Sequence, residues 1–301
     1  MKKSVLGIVL FCFAVFAVSC QNNTKTVQES YTSGSTTMIA DESFEPIVDA
    51  QLYVFESIYP QAKINMLYKP EQELLNLFLN DSVRVAILSR KLNKQEEKVF
   101  TNLHIKIRVN RFAIDAISLV THKSSPDSGV LVKDIKDLMQ GKPSRIKSLV
   151  FDNPNSSTVR YLMELSGIKL LPKKGVYALK SNPEVIKYVH NNPGTIGVIG
   201  FNWIEQPDED LEQYVADLKV LGVKDTERKE ENDKFFKPNQ DNLALGLYPL
   251  TRDLYIINCQ GRPGLGWGFA SFLASERGQR IVLKSGLLPD SIPSREIIIK
   301  K

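Results

Sequence analysis

Thr32-Ser33-Gly34-Ser35-Thr36-Thr37 places hydroxyl side chains on both sides of a glycine, and those residue types suit the capture of an anion. Hydroxyls donate hydrogen bonds without adding charge, and glycine lets backbone N–H groups approach a ligand closely. Such a turn works best where it opens a helix, because the first N–H groups of a helix lack internal partners and carry the positive end of its dipole. For bond-breaking chemistry the chain offers little. His104, His122 and His190 are scattered, and no HExxH, GxSxG or Walker loop occurs. The residues point to a binding protein, not an enzyme, with no metal site and no cofactor.

An alternating pattern of short β-rich runs and amphipathic helical runs must position these groups, which argues an α/β fold. Strands are expected at Thr36 to Ala40, Ala62 to Tyr68, Val83 to Leu88, Ala113 to Thr121, Ser148 to Phe151, Ile196 to Ile199 and Leu254 to Asn258. Helices are expected to begin near Phe44, Glu71, Asn93, Ser156, Asn182 and Trp267. In the first of them Phe44, Ile47, Val48, Leu52, Phe55 and Ile58 line one face, Pro46 fits the first turn, and Tyr59-Pro60 ends it. Arg111 to Val120 and Leu247 to Ile257 are extended runs that suit connections between two lobes. The charged segment between Lys224 and Lys237 reads as a solvated loop or exposed helix.

The first nineteen residues carry Lys2-Lys3, an apolar run from Val5 to Val18 and small residues before Cys20, the pattern of an export signal. The run is shorter than the ~20 residues of a membrane span. Ala17-Val18-Ser19-Cys20 resembles the lipobox of bacterial lipoproteins, in which the cysteine is diacylated and becomes the mature N-terminus. Gln21 to Ser33 is polar and poorly patterned, and reads as a flexible tether. Of the three cysteines, Cys12 leaves with the signal and Cys20 carries lipid, so Cys259 alone excludes a disulfide framework or a thiolate metal cage. Without Lys2 and Lys3 the net charge falls from +5 to +3, too mild to argue for nucleic acid.

Four stretches, in this order, resemble the PstS-like phosphate branch of the periplasmic solute-binding proteins. They are Asp81 to Arg90, Ala113 to Ile117, Asn192 to Gly200, and Tyr248 to Arg252 followed by Ser275 to Gln279. The resemblance implies a type II periplasmic-binding-protein fold, two α/β lobes joined by two crossover strands and closing on a bare oxyanion. It implies lobe one from residues 34–112 plus 255–301 and lobe two from 113–254, after a signal at 1–19 and a tether at 20–33. The function implied is that of a lipid-anchored, monomeric, extracytoplasmic receptor in the cell envelope. It would deliver phosphate or a related anion to an ABC transporter permease. An alternative is a lipid-anchored sensor or interaction protein of the same fold, uncoupled from transport.

The family's second anion turn matches Asp152-Asn153-Pro154-Asn155-Ser156-Ser157-Thr158, so Asn155, Ser156, Ser157 and Thr158 are expected at the ligand, with Arg160 one turn on. Asp152 stands where some relatives carry arginine. Ser89 and Arg90 end a strand that points at the cleft in the family pattern, and Arg90 offers a planar charged fork. The family's first turn is followed three residues later by a proline, fourteen residues before the Tyr-Pro proline. Pro46 lies fourteen before Pro60, so the turn falls on Ala40-Asp41-Glu42-Ser43, and Gly34 to Thr37 opens the preceding strand. Asp41 and Glu42 suit a helix N-terminus but repel a dianion. Either they turn away, or one accepts a proton or an amine from the ligand, as a protonated phosphate would supply. Lys69 in the next loop restores a positive charge there.

Overall fold

The computed structural model describes residues 29–227 and 234–291. The expected signal segment, Cys20, the expected tether up to Gln28, the middle of the charged segment and residues 292–301 lie outside them. Its strands are β1 (Gly34–Asp41), β2 (Ala62–Lys69), β3 (Val85–Leu88), β4 (Arg108–His122), β5 (Gly129–Leu131), β6 (Leu149–Phe151), β7 (Val176–Ala178), β8 (Ile196–Gly200), β9 (Leu218–Val220), β10 (Gly222–Lys224), β11 (Thr251–Asn258) and β12 (Leu288–Pro289). The helices are α1 (Glu45–Ile58), α2 (Glu71–Leu79), α3 (Lys94–Asn102), α4 (Val132–Met139), α5 (Ser157–Leu165), α6 (Asn182–Asn191), α7 (Asn202–Glu205), α8 (Glu212–Val215), α9 (Gln240–Ala244), α10 (Leu265–Ala274) and α11 (Glu276–Lys284).

The main sheet runs β2-β1-β3-β11-β4-β8-β6-β7. Its two ends are parallel, β1 with β2 and β3, and β6 with β7 and β8, while β11 and β4 run antiparallel through the middle. Strand β4 is one of two that link the halves. Along its 15 residues β4 pairs with β11 up to Ala116, then with β8 from Ile117 to Val120. The packing changes partners at the same place: Phe112 and Ala113 join the core of the first half, Ala116 and Ile117 that of the second. On β11 the change falls between Leu250 and Leu254.

Side chains alternate across each strand, so helices can cover both faces. In the first half Met38 and Ala40 face α1, α10 and α11, through Ile47, Phe55, Phe269 and Val282. Ile39 faces the opposite layer with Leu74, Phe78 and Phe100 of α2 and α3. In the second half Leu119 and Val198 face α4 and α5, and Val120 and Ile199 face α6. The two C-terminal helices thus return to the first half. The Phe55 ring meets Phe269 and Phe272 edge-on at centroid distances of 5.4 and 5.5 Å, geometry that adds to their burial.

The last residues of the expected tether are fastened to this half. Glu29 pairs with Arg262 at 2.7 Å, and the Tyr31 ring lies 6.3 Å from that of Trp267. The Tyr31 carbonyl oxygen lies 1.7 Å from where a Cβ on Gly268 would stand, so only glycine admits the chain there. Among the described residues no helix is long and apolar enough to cross a membrane.

Candidate functional site

The buried end of β1 delivers Asp41 to the junction of the two halves, and a single 3-10 turn, Glu42–Phe44, leads from it into α1. Asp41 Oδ1 accepts the Ser43 N–H at 3.0 Å and caps that turn. The strand therefore begins at Gly34 and the turn lies at Asp41 to Ser43. Ser35, Thr36 and Thr37 instead line a separate cleft of about 390 Å³ beside Arg84 and Arg262.

Across the junction α5 opens with Ser156 as its cap, the hydroxyl accepting the Val159 N–H at 3.2 Å. Ser157 and Thr158 follow, both fully buried. Arg252 of β11 reaches them: Nη1 donates to Ser157 Oγ at 2.8 Å and to Thr158 Oγ1 at 3.4 Å. Its Nε donates to Asp115 Oδ2 at 2.8 Å, with 2% and 0% of the two side chains exposed. The pairing of β4 with β11 sets Asp115 directly opposite Arg252, and the guanidinium lies 4.5 Å over the Phe44 ring. Nη2 is buried with no partner. Because Ser157 and Thr158 accept from the arginine, their own O–H hydrogens remain to be donated.

Ser43 closes the pocket from the first half. Its Oγ donates to Asp152 Oδ2 at 3.4 Å and lies 3.5 Å from Ser157 Oγ, and its carbonyl accepts the Trp203 indole N–H at 3.1 Å. Asn182 Nδ2 donates to Asp152 Oδ2 at 3.3 Å. Gly200 keeps the space open, since a Cβ there would stand 2.6 Å from Asn202 Oδ1 and 3.4 Å from Arg252 Nη2. Unpartnered buried atoms gather here: Asp41 Oδ2, Glu42 Oε1, Asp115 Oδ1, both polar atoms of the Asn202 amide and Arg252 Nη2. Such groups are rare in a finished core and mark where a further partner belongs.

Carboxyl groups outnumber cations in this cluster. Burial pushes Asp41 up to about 6, helped by the charge of Glu71 and opposed by Arg252. Burial also raises Glu42 to about 8, with Asp152 and Asp41 adding repulsion. Asp115 and Asp152 are raised by burial too, against the pull of Arg252. The junction therefore holds protons that the same groups would release in water.

Beside the pocket a clasp joins the halves. Glu71, at the start of α2 and 2% exposed, accepts Arg160 Nε of α5 at 2.6 Å and Arg90 Nε at 3.1 Å. Ser89 Oγ takes Arg160 Nη2 at 2.9 Å, and the Gln72 N–H reaches the Asn155 carbonyl at 3.2 Å. Glu96 holds the rest of the Arg90 fork at 2.8 Å. Glu71→Gln is expected to destabilise the ligand-free protein by about 1.5–3 kcal/mol, the range for hydrogen bonds to charged groups. Urea unfolding measures that loss, and small-angle scattering should show a larger radius of gyration as the halves part.

The structure brings Asp41, Glu42, Ser43, Ser157 and Thr158 together, with Ser156 spent on its cap. Ser89, Arg90 and Asn155 sit in the clasp instead. The fork of Arg90 is filled by glutamates and not turned to the pocket, because Glu71 and Glu96 both lie within its reach. Lys69 is drawn off by Glu73 at 3.8 Å. Sequence reasoning assigned no site role to Arg252, Asp115, Glu71 or Asn182. One signal was present: an arginine in a strand that continues into Leu254, Tyr255, Ile256 and Ile257 must find a partner if it is buried.

The sequence profile of the PBP superfamily domain matches residues 25–277. The chain belongs to that superfamily. Among curated PBP relatives, the phosphate-binding protein PstS of Borreliella burgdorferi is 24% identical over 96% of this chain and 99% of its own length. PstS of Pseudomonas aeruginosa is 20% identical over 89% of this chain and 87% of its own. A solved structure from Clostridium perfringens, described as a phosphate ABC transporter substrate-binding protein with bound phosphate, superposes with a TM-score of 0.69 at 20% identity. It covers 86% of this chain and 100% of that one. The likeness to the solved structure establishes the two-lobed PBP fold, in which β4 and β11 are the strands that pass between lobes.

Proposed function

We propose that the protein captures phosphate or a related oxyanion between its lobes and delivers it to the permease of an ABC importer. The observation that carries this reading is the buried, unpartnered Nη2 of Arg252 beside the hydroxyls of Ser157 and Thr158, at the N-terminus of α5. A cation, two hydroxyl donors and a helix dipole converge there on one point, which suits an anion and little else. Ser43 of the other lobe faces Ser157 across 3.5 Å, so the ligand is enclosed from both sides and favours the closed form. Asp41 and Glu42, where protonated, donate to the same anion instead of repelling it. The relatives named for phosphate support the ligand class, and the Clostridium perfringens structure described as an ABC transporter substrate-binding protein favours import over sensing.

The change of core partners supports the division into two lobes, with boundaries between Ala113 and Ala116 and between Leu250 and Leu254, so Ala113 and Leu254 pack with lobe one and not with lobe two, where they were expected. The signal pattern and Cys20 support a lipid anchor on the outer side of the cytoplasmic membrane or beyond. Calorimetric titration tests the ligand. Phosphate should bind saturably at one equivalent, and Thr158→Ala should weaken it by about tenfold, the loss of one charge-assisted hydrogen bond. Absence of heat with phosphate but a signal with another solute would overturn the phosphate assignment.

A further inference from the structure

His122, His190 and Asp217 are far apart in sequence, and the fold brings them to one place on the second lobe, away from the cleft. His122 is the last residue of β4 and pairs with Leu218 of β9, which sets Asp217 beside it. His190 stands in the last turn of α6. One ligand atom from each of the three lies within 4.8 Å of the other two. His190 Nδ1 is 3.3 Å from Asp217 Oδ2, and that nitrogen is buried without a hydrogen-bond partner.

We propose that these three residues form a site for a zinc-type divalent cation, with solvent completing the coordination shell. Two imidazoles and a carboxylate favour zinc and its first-row neighbours over magnesium or calcium, which take oxygen ligands. Zinc bonds of ~2.0–2.2 Å in a tetrahedron put neighbouring ligand atoms about 3.4 Å apart. The His190 to Asp217 spacing already matches, and rotation of the half-exposed Asp217 and His122 side chains closes the rest.

The surroundings hold the ligands in place, as a metal site requires. The Tyr214 ring packs edge-on against His190 at 5.1 Å, and the Asp217 carbonyl accepts the Lys123 N–H at 2.8 Å. His122 Nδ1 lies 2.7 Å from Ser124 Oγ and also takes the Ser124 N–H at 3.1 Å. That leaves Nε2 of His122 as the nitrogen free to ligate. Ligation there moves the ring proton to Nδ1, where Ser124 Oγ accepts it in exchange for the backbone contact. The nearest lysine on α6, Lys187, is paired with Asp210 at 3.5 Å. A bound cation would tie the end of β4 to α6 and to the start of β9.

The test is titration of chelator-stripped protein with zinc chloride, read by calorimetry and thermal unfolding. One equivalent should bind saturably, and zinc at ~100 times the dissociation constant should raise the melting midpoint by roughly 5 °C. His122→Gln and His190→Gln should each weaken zinc binding by about 100-fold or more, beyond what loss of an outer-shell partner costs. Asp217→Asn, at an exposed position, should weaken it without disturbing the fold. Magnesium should give no heat, and phosphate binding should be unchanged in all three variants. No saturable zinc uptake, or uptake that survives the His122→Gln, His190→Gln double variant, would overturn the proposal.

Discussion

Arg252→Met is expected to destabilise the protein by about 3–5 kcal/mol and to weaken anion capture by at least ~100-fold. The two losses have different origins. Methionine fills much of the arginine's volume but leaves Asp115 buried and unpaired, which is the costly way to break an ion pair. Both partners are almost wholly enclosed, so solvent does not rescue the carboxylate. The binding loss comes from Nη2 and Nη1: without them the hydroxyls of Ser157 and Thr158 are no longer polarised and the pocket has no cation left. A charged hydrogen bond is worth about 1.5–3 kcal/mol, so losing two exceeds two powers of ten.

A second substitution separates these effects. Adding Asp115→Asn to Arg252→Met removes the stranded charge and should restore most of the unfolding free energy in urea. It cannot restore the cation, so phosphate titration should remain flat. If the double variant binds phosphate within threefold of the wild type, Arg252 is not the anion's partner. If it stays as unstable as the single variant, the Asp115 charge was not the cause of the loss.

Much of the fold could be read from the sequence because its elements are short and strongly patterned. The run from Phe44 to Ile58 has apolar residues at helical spacing and ends at Tyr59-Pro60, and α1 follows it to within a residue. The turn at Asp41 to Ser43 was also legible, through the Pro46 to Pro60 interval. Helix α4 was missed because it is short: Val132, Ile135, Leu138 and Met139 have helical spacing, but over only 8 positions. In the site, local signals worked where a residue acts through its own helix, as Ser156 does as a cap. They failed for Arg90 and Arg252, whose roles depend on partners far away in sequence. Arg90 reads as a free fork until Glu71 and Glu96 are placed beside it. Arg252 reads as part of a connecting strand until β4 sets Asp115 opposite. The same limit hid His122, His190 and Asp217, which share no spacing motif and meet only when β9 pairs with β4.

The ligand-free protein should lose stability as pH rises from about 4 to 8, opposite to a protein held by ordinary salt-bridged carboxylates. Asp41 is raised from 3.8 to about 6 and Glu42 from 4.5 to about 8, in both cases first by burial. The native state therefore keeps protons that the unfolded chain releases. Their contribution is complete below the unfolded values and is lost as pH climbs through the native ones. For the fully enclosed Asp41 the shift is about two units, or about 3 kcal/mol between pH 4 and 7. Glu42 extends the same trend toward pH 8, with a smaller effect because water reaches part of its side chain. Parting the lobes rehydrates both carboxyls, so rising pH also favours the open form, and scattering should report a larger radius at pH 8 than at pH 5. Asp41→Asn should flatten the pH 4 to 7 part of the urea-derived stability curve while leaving the turn intact, since the amide oxygen still caps Ser43. A wild-type curve that instead rises across this window, or an Asp41→Asn curve identical to it, would show that Asp41 is ionised in the closed lobes. The pocket would then have to admit a ligand that brings its own proton or positive charge.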